Sequence, residues 1–174
     1  MKKICSLLAA TILFCFTLTG CNAIKAQNTL TADSDSINIA DVSLSRETEE
    51  VRDRVEPKNP EGYYDLYEYY EGYNYYVITG KAKNNSANEF FADSCLMKSN
   101  VGNKSYDAKI VFLNEDESEF KNSIKPNEEC TYIILTLVEK GDKPDGFKIY
   151  YNNNLKIEKN QTNFDNEIVV ETKK

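Results

Sequence analysis

No histidine occurs anywhere in the 174 residues, and that single absence removes every chemistry that runs on imidazole. His-ligated zinc, Ser-His or Cys-His nucleophile pairs and proton shuttles near neutral pH are all excluded. The chain also lacks a GxSxG elbow, a phosphate-binding glycine loop and a CxxC pair. With seven glycines in all, few positions remain for the tight loops that cradle phosphates. Positive charge is scarce too: 21 Lys and Arg stand against 28 Asp and Glu, a formal charge of −7. Binding to polyanions needs basic patches that neutralise phosphates, so nucleic acid is not expected as a partner and cationic partners suit the chain better. No catalytic residue, metal-ligand set or cofactor motif emerges.

What is present begins with a leader. Lys2 and Lys3 precede an apolar run from Ile4 to Leu18, which has the length of a secretory h-region and is too short for a stable membrane span. The run ends in Leu18-Thr19-Gly20-Cys21, which resembles the lipobox of bacterial lipoproteins. The resemblance implies cleavage of residues 1–20, lipidation of the Cys21 thiol, and a mature chain anchored on the extracytoplasmic face of a cell membrane. Two acyl chains bury enough methylenes, at about 0.8 kcal/mol each, for lasting anchorage. Without the two leader lysines the balance is 19 basic against 28 acidic residues, about −9. Such a charge also serves simply to keep a surface protein soluble.

Residues 21–61 are mostly small, polar or charged and are expected to form a flexible tether, with an end-to-end distance of about 35 Å if fully coiled. Within it Leu44, Thr48, Val51 and Val55 recur at helical spacing and Glu50 stands four residues before Arg54, a pattern for a short helix ended by Pro57 and Pro60. From residue 62 to 159 the rhythm is all-β: short runs rich in Tyr, Val, Ile and Phe, separated by Asn, Gly and Pro. The expected strands are Tyr63 to Tyr70, Tyr73 to Lys83, Glu89 to Lys98, Ser105 to Leu113, Cys130 to Val138, Gly146 to Tyr151 and Leu155 to Lys159. Seven strands in about a hundred residues is the size of an immunoglobulin-like β-sandwich. Residues 160–174 are either a tail or a last strand. Alternation places Tyr76, Ile78, Gly80 and Ala82 on one face, Ile133, Leu135 and Leu137 on another, and Phe147, Ile149 and Tyr151 on a third, with Ile110 and Phe112 completing the core.

The runs YYVITGKAKNNS, IKPNEECTYIILTLV and FKIYY resemble the small Ig-like modules that follow the lipidated N-terminus of many Gram-positive lipoproteins, among them the FxLYD-like and immunoprotective extracellular types. This resemblance covers roughly Tyr63 to Tyr151, with Pro126-Asn127 standing where such modules carry Pro-Gly. It implies a fold and a place at the cell envelope, and brings no catalytic residues with it.

Three groups of side chains are candidates for chemistry or contact. Cys95 and Cys130 are the thiols left in the mature chain beside Cys21; in an oxidising compartment they form either a disulfide or two buried thiols. Glu115-Asp116-Glu117-Ser118-Glu119 offers four carboxylates but lacks the ligand spacing and turn glycine of a calcium loop, so it reads as a solvated loop. The segment YYDLYEYYEGYNYY holds eight of the chain's twelve tyrosines. Read as two strands about Gly72, it puts Tyr63, Tyr67, Tyr69, Tyr73 and Tyr75 on a half-exposed face beside Asp65 and Glu71, and Tyr64, Leu66, Tyr70, Tyr76 and Ile78 on a core face. The first set has the composition of a binding surface, although Tyr also pairs across strands merely to stabilise a sheet. The functional expectation is a non-catalytic module that contacts an envelope protein or glycan. A structural or protective accessory, or an enzyme working with carboxylates, are the alternatives.

Overall fold

The computed structural model describes residues 23–32 and 35–172; the leader and Cys21 lie outside the described residues. Twelve strands fill most of what is described: β1 (Lys25–Thr31), β2 (Ser36–Ile39), β3 (Val42–Arg52), β4 (Tyr73–Asn84), β5 (Phe90–Phe91), β6 (Cys95–Val101), β7 (Lys104–Leu113), β8 (Phe120–Lys121), β9 (Ser123–Ile124), β10 (Glu129–Glu139), β11 (Gly146–Tyr151) and β12 (Asn163–Glu171). The long ones form one sheet in the order β1-β12-β11-β6-β7-β10-β4-β3-β2, with β8 added beside β7, while β5 and β9 make a separate pair. Every pairing is antiparallel except β1 with β12.

A sheet this wide cannot stay flat, because strand twist accumulates across it. It curls until its far strands meet. Tyr76 on β4 packs against Phe147 on β11 with ring centroids 6.2 Å apart, although three strands separate them in the sheet. β2 likewise touches β12. The result is an all-β sandwich closed around one large interior. Inward side chains alternate along each strand: Ile37 and Ile39, Val42 and Leu44, Tyr76, Ile78 and Ala82, Met97, Ile110 and Phe112, Tyr132 and Ile134, Phe147, Ile149 and Tyr151, Ile168 and Val170. The expected inward sets of β4, β7 and β11 are all found there.

Gly80 lets β3 lie close against its neighbour β4. A Cβ on it would lie 1.8 Å from the carbonyl oxygen of Ser45, where β3 bulges between Arg46 and Thr48. Arg46 follows Val42 and Leu44 on the inward side of β3, where its guanidinium pairs with Glu49 beyond the bulge and donates through Nη2 to the carbonyl of Glu171 on β12 at 3.0 Å. Tyr76 Oη donates to the same Glu49 carboxylate at 2.7 Å. Burial and that bond push the Tyr76 hydroxyl well above its usual range. The knot therefore ties β3 to β12 across the curled sheet, with paired charges that are hydrogen-bonded except at the buried Arg46 Nε, close to the condition under which a buried pair is tolerated.

Several expectations are corrected by this architecture. The tether is not a tether: residues 25–52 supply three strands, one of them eleven residues long. The helical spacing in that stretch is incidental. Val42 and Leu44 face the interior on β3, and Glu50 pairs with Arg52 and Arg54 with Glu56 across a two-residue step, as neighbours on one face of an extended chain do. For residues 160–174 the strand alternative is the one found: β12 sits inside the sheet between β1 and β11. Leu155 to Lys159 is a turn region, and Tyr63 to Tyr70 forms no strand. Ile133, Leu135 and Leu137 do share a face, but it is the outer one.

Candidate functional site

The outer face of β4, β7 and β10 carries Tyr75, Val77, Val111, Leu113, Ile133 and Leu135, all buried. Apolar residues on an outward face need a cover, and residues 53–72, the connection from β3 to β4, provide it by running across the sheet as a strap. Val55, on the strap itself, is fully buried against this face. The strap folds back on itself through one bridge: Val55 N–H donates to Tyr67 O at 3.0 Å and Tyr67 N–H to Val55 O at 2.8 Å. Tyr67 lies half-buried, its ring edge-on to Tyr75 with centroids 6.2 Å apart and tilted against Phe120 at 5.7 Å. Lys109 Nζ sits 5.9 Å from the centroid of the same ring. Tyr75 Oη donates to the carbonyl of Glu68 at 3.0 Å.

Two latches hold the strap's ends. At one, Asn59 N–H and Nδ2 donate to the carbonyls of Glu117 and Asp116, each at 3.0 Å, and Lys58 Nζ meets Glu117 at 2.8 Å. Thr131 Oγ1 donates to Glu117 at 2.5 Å. The Lys58 ammonium, then the Thr131 hydroxyl, hold the Glu117 carboxyl below its ordinary range. The acidic loop thus has a job: Asp116 closes a local turn by accepting from Ser118 N–H and Oγ, and Glu117 faces lysines. Among the described residues no three Cys, Asp or Glu side chains converge as a metal site. At the other latch, Tyr73 N–H donates to Tyr70 O at 3.1 Å and Lys140 N–H to Gly72 O at 2.9 Å. Gly72 has φ +82°, the left-handed value that the third position of a type II turn demands.

Residues 63–70 form no strand, so the alternation that divides the tyrosines into two faces holds only from Tyr73 onward. Of the five expected to face outward, Tyr63, Tyr69 and Tyr73 are exposed, Tyr63 at 94%, whereas Tyr75 is buried and Tyr67 half-buried under the strap. Of the five assigned to the core, Tyr76 and Ile78 are buried, Tyr64 is half-buried, and Leu66 and Tyr70 are exposed. The exposed set is therefore Tyr63, Tyr69, Tyr70 and Tyr73. Between residues 61 and 73 the strap carries Glu61, Asp65, Glu68 and Glu71 and no basic residue.

The thiols of Cys95 and Cys130 are both free and buried. β7 lies between their strands, and two strand spacings amount to about 10 Å, beyond the roughly 7 Å between Cα atoms that a disulfide spans. The bridge is therefore replaced by the alternative of two buried thiols. Burial pushes Cys95 up to about 12 and Cys130 up to about 11, so neither is a thiolate near neutral pH.

No family model matches the chain, and no curated protein matches it either. Among solved structures the chain is similar to an uncharacterized β-sandwich protein from Clostridium difficile 630, at 16% identity and a TM-score of 0.57, over 85% of this chain and 96% of that one. That similarity agrees with the all-β sandwich described above.

Proposed function

We propose that the chain is a membrane-anchored extracytoplasmic lipoprotein whose β-sandwich acts as a non-catalytic binding module at the cell envelope. The observation that carries the binding role is the pinned strap, which holds Tyr63, Tyr69 and Tyr70 in solvent beside Tyr73 at the start of β4 while fastening their backbone at both ends. Ring-bearing side chains on a fixed backbone contribute contact area with little further loss of freedom. The anchor rests on the lipobox ending in Cys21. Partners of this module are the bilayer, through the lipid, and an envelope protein or glycan, through the strap.

Two measurements test the halves separately. Fractionation of cells expressing Cys21→Ala should move the protein out of the membrane pellet; full retention of a processed mutant there removes the anchor. A photo-crosslinking side chain at Tyr69 should trap discrete adducts on intact cells, and the same group at Asn154, on the loop between β11 and β12, should not. Identical adduct patterns at the two positions leave the strap with a covering role alone.

A further inference from the structure

The strand registers say where on the molecule the exposed rings stand relative to the proposed anchor. Lys25 opens β1 opposite Asn163. Following the antiparallel neighbours inward, Tyr151 lies opposite Cys95, Tyr132 opposite Phe112, and Cys130 opposite Ala82. The start of β1, the loop after β11 and the end of β4 at Asn84 therefore share one pole. Tyr73 opens β4 opposite Glu139, at the other pole, and the turn bearing Tyr69 and Tyr70 precedes it. β4 spans twelve residues, which at 3.2–3.4 Å each separates the poles by roughly 35 Å. Cys21 precedes Lys25 by four residues, a reach of at most about 14 Å.

We infer that Tyr69, Tyr70 and Tyr73 form a membrane-distal tip that docks a lysine- or arginine-rich segment of a partner protein; this rests on the anchor reading above for its orientation. The bilayer itself is the wrong occupant, because the short span from Cys21 holds the opposite pole toward it. The charge favours a cation. Glu68 and Glu71 flank the rings, while Glu139 and Asp142 nearby are engaged by Lys104. One base, Lys140, adjoins the turn through its backbone N–H to Gly72, against the two carboxylates Glu68 and Glu71 on the turn side. Tyrosine faces attract ammonium groups through their ring quadrupole, and the chain already does this twice within itself: Lys109 over Tyr67 at 5.9 Å and Lys143 over Tyr76 at 6.0 Å. The tip presents the same ring type, beside carboxylates, without such a cover.

The test uses a fluorescent ten-residue Lys/Arg peptide as probe. Soluble Cys21→Ser protein should bind it in a salt-dependent way, and the triple change Tyr69→Ala, Tyr70→Ala, Tyr73→Ala should weaken binding at least tenfold with an unchanged melting temperature. Glu68→Gln with Glu71→Gln should weaken it three- to tenfold. Equal affinity for wild type and triple variant reduces the binding to net charge and overturns the tip, as does tyrosine-dependent binding of soluble glycan oligomers in place of the peptide. In a second arm, lipidated protein in neutral vesicles carries a dye at Tyr69→Cys or at Asn154→Cys, the buried native thiols staying unlabelled. A quencher in the bilayer should dim the dye at 154 and spare the one at 69; the reverse sinks the orientation. Failure of the anchor reading shows up differently, as protein that does not stay with the vesicles while soluble peptide binding is intact.

Discussion

The two faces of β4 are covered in opposite ways. Its inner face, with Tyr76, Ile78 and Ala82, is sealed by the rest of the curled sheet, so many strands share the work and no single loop can uncover it. Its outer face, with Tyr75 and Val77, depends on one irregular segment held by one bridge, two latches and a ring tilted against Phe120. Tyrosine serves both faces, but for different reasons. Tyr76 fills volume and aims its hydroxyl at a buried carboxylate; Tyr67 fastens a cover whose other rings stay in water. A stretch of sequence that looks uniform is thus split between the part of the molecule that opens only when everything unfolds and a part free to loosen alone.

Four measurements bear on that split. Tyr76→Ala removes a buried ring and its bond to Glu49, and should cost about 3–5 kcal/mol, the usual loss for an aromatic truncated in a core; a melt within a degree or two of wild type would dissolve the distinction between faces. Tyr67→Ala should cost less, about 1–2 kcal/mol, since the ring is half-exposed. It should also raise the rate of proteolysis within 53–72 without a matching rise elsewhere. If instead every region becomes equally labile, the strap belongs to the same cooperative unit as the interior.

The third is electrostatic. Glu117 is held below its ordinary range in the folded protein, so its latch contributes stability above the unfolded carboxylate range near pH 4.3, and that contribution is lost as pH falls through the lowered folded value. Glu117→Gln should flatten the acid limb of a melting-temperature profile between pH 7 and pH 3 and cost less than about 1 kcal/mol at neutrality, because Lys58 is solvent-exposed. An unchanged acid limb would take the latch out of the account. The smallest effect belongs to Tyr69→Ala and Tyr70→Ala, each expected below about 0.5 kcal/mol. A larger loss at Tyr70 would return it to the core side on which strand alternation places it.

How much of this was legible follows from what each segment must satisfy. β4, β7, β10 and β11 could be read from the residues because both their faces are constrained: inward positions are apolar, and Asn, Gly or Pro turns bound them. β12 carries an equally plain alternation in Phe164, Ile168 and Val170, with Asn166 interrupting it, and this left open whether it was tail or strand. β1 could not be read at all, since six of its seven residues are exposed and its membership depends on backbone bonds to β12, which no side-chain pattern records. β3 was hidden because Arg46 stands at an inward position and its partners, Glu49 and the Glu171 carbonyl, are invisible in one dimension. The tyrosine faces went astray before Gly72, where 63–70 is irregular rather than a strand. Alternation holds only while the chain stays extended in a ladder, and on β4 it does: Tyr76 and Ile78 face inward, while Tyr75 faces outward and is buried by the strap.

The parallel pairing of β1 with β12 has a consequence for the order in which the molecule comes together. Gln27 finds Asp165 across 138 residues, and Lys25 pairs with Asn163, so the first described strand docks on the last. Until the C-terminal strand has emerged, β1 has no edge to join, and closing so long a loop is rewarded only after β11 has positioned β12. Assembly therefore runs from the middle of the chain outward. Until β12 is in place, β1 waits unpaired, as an open strand.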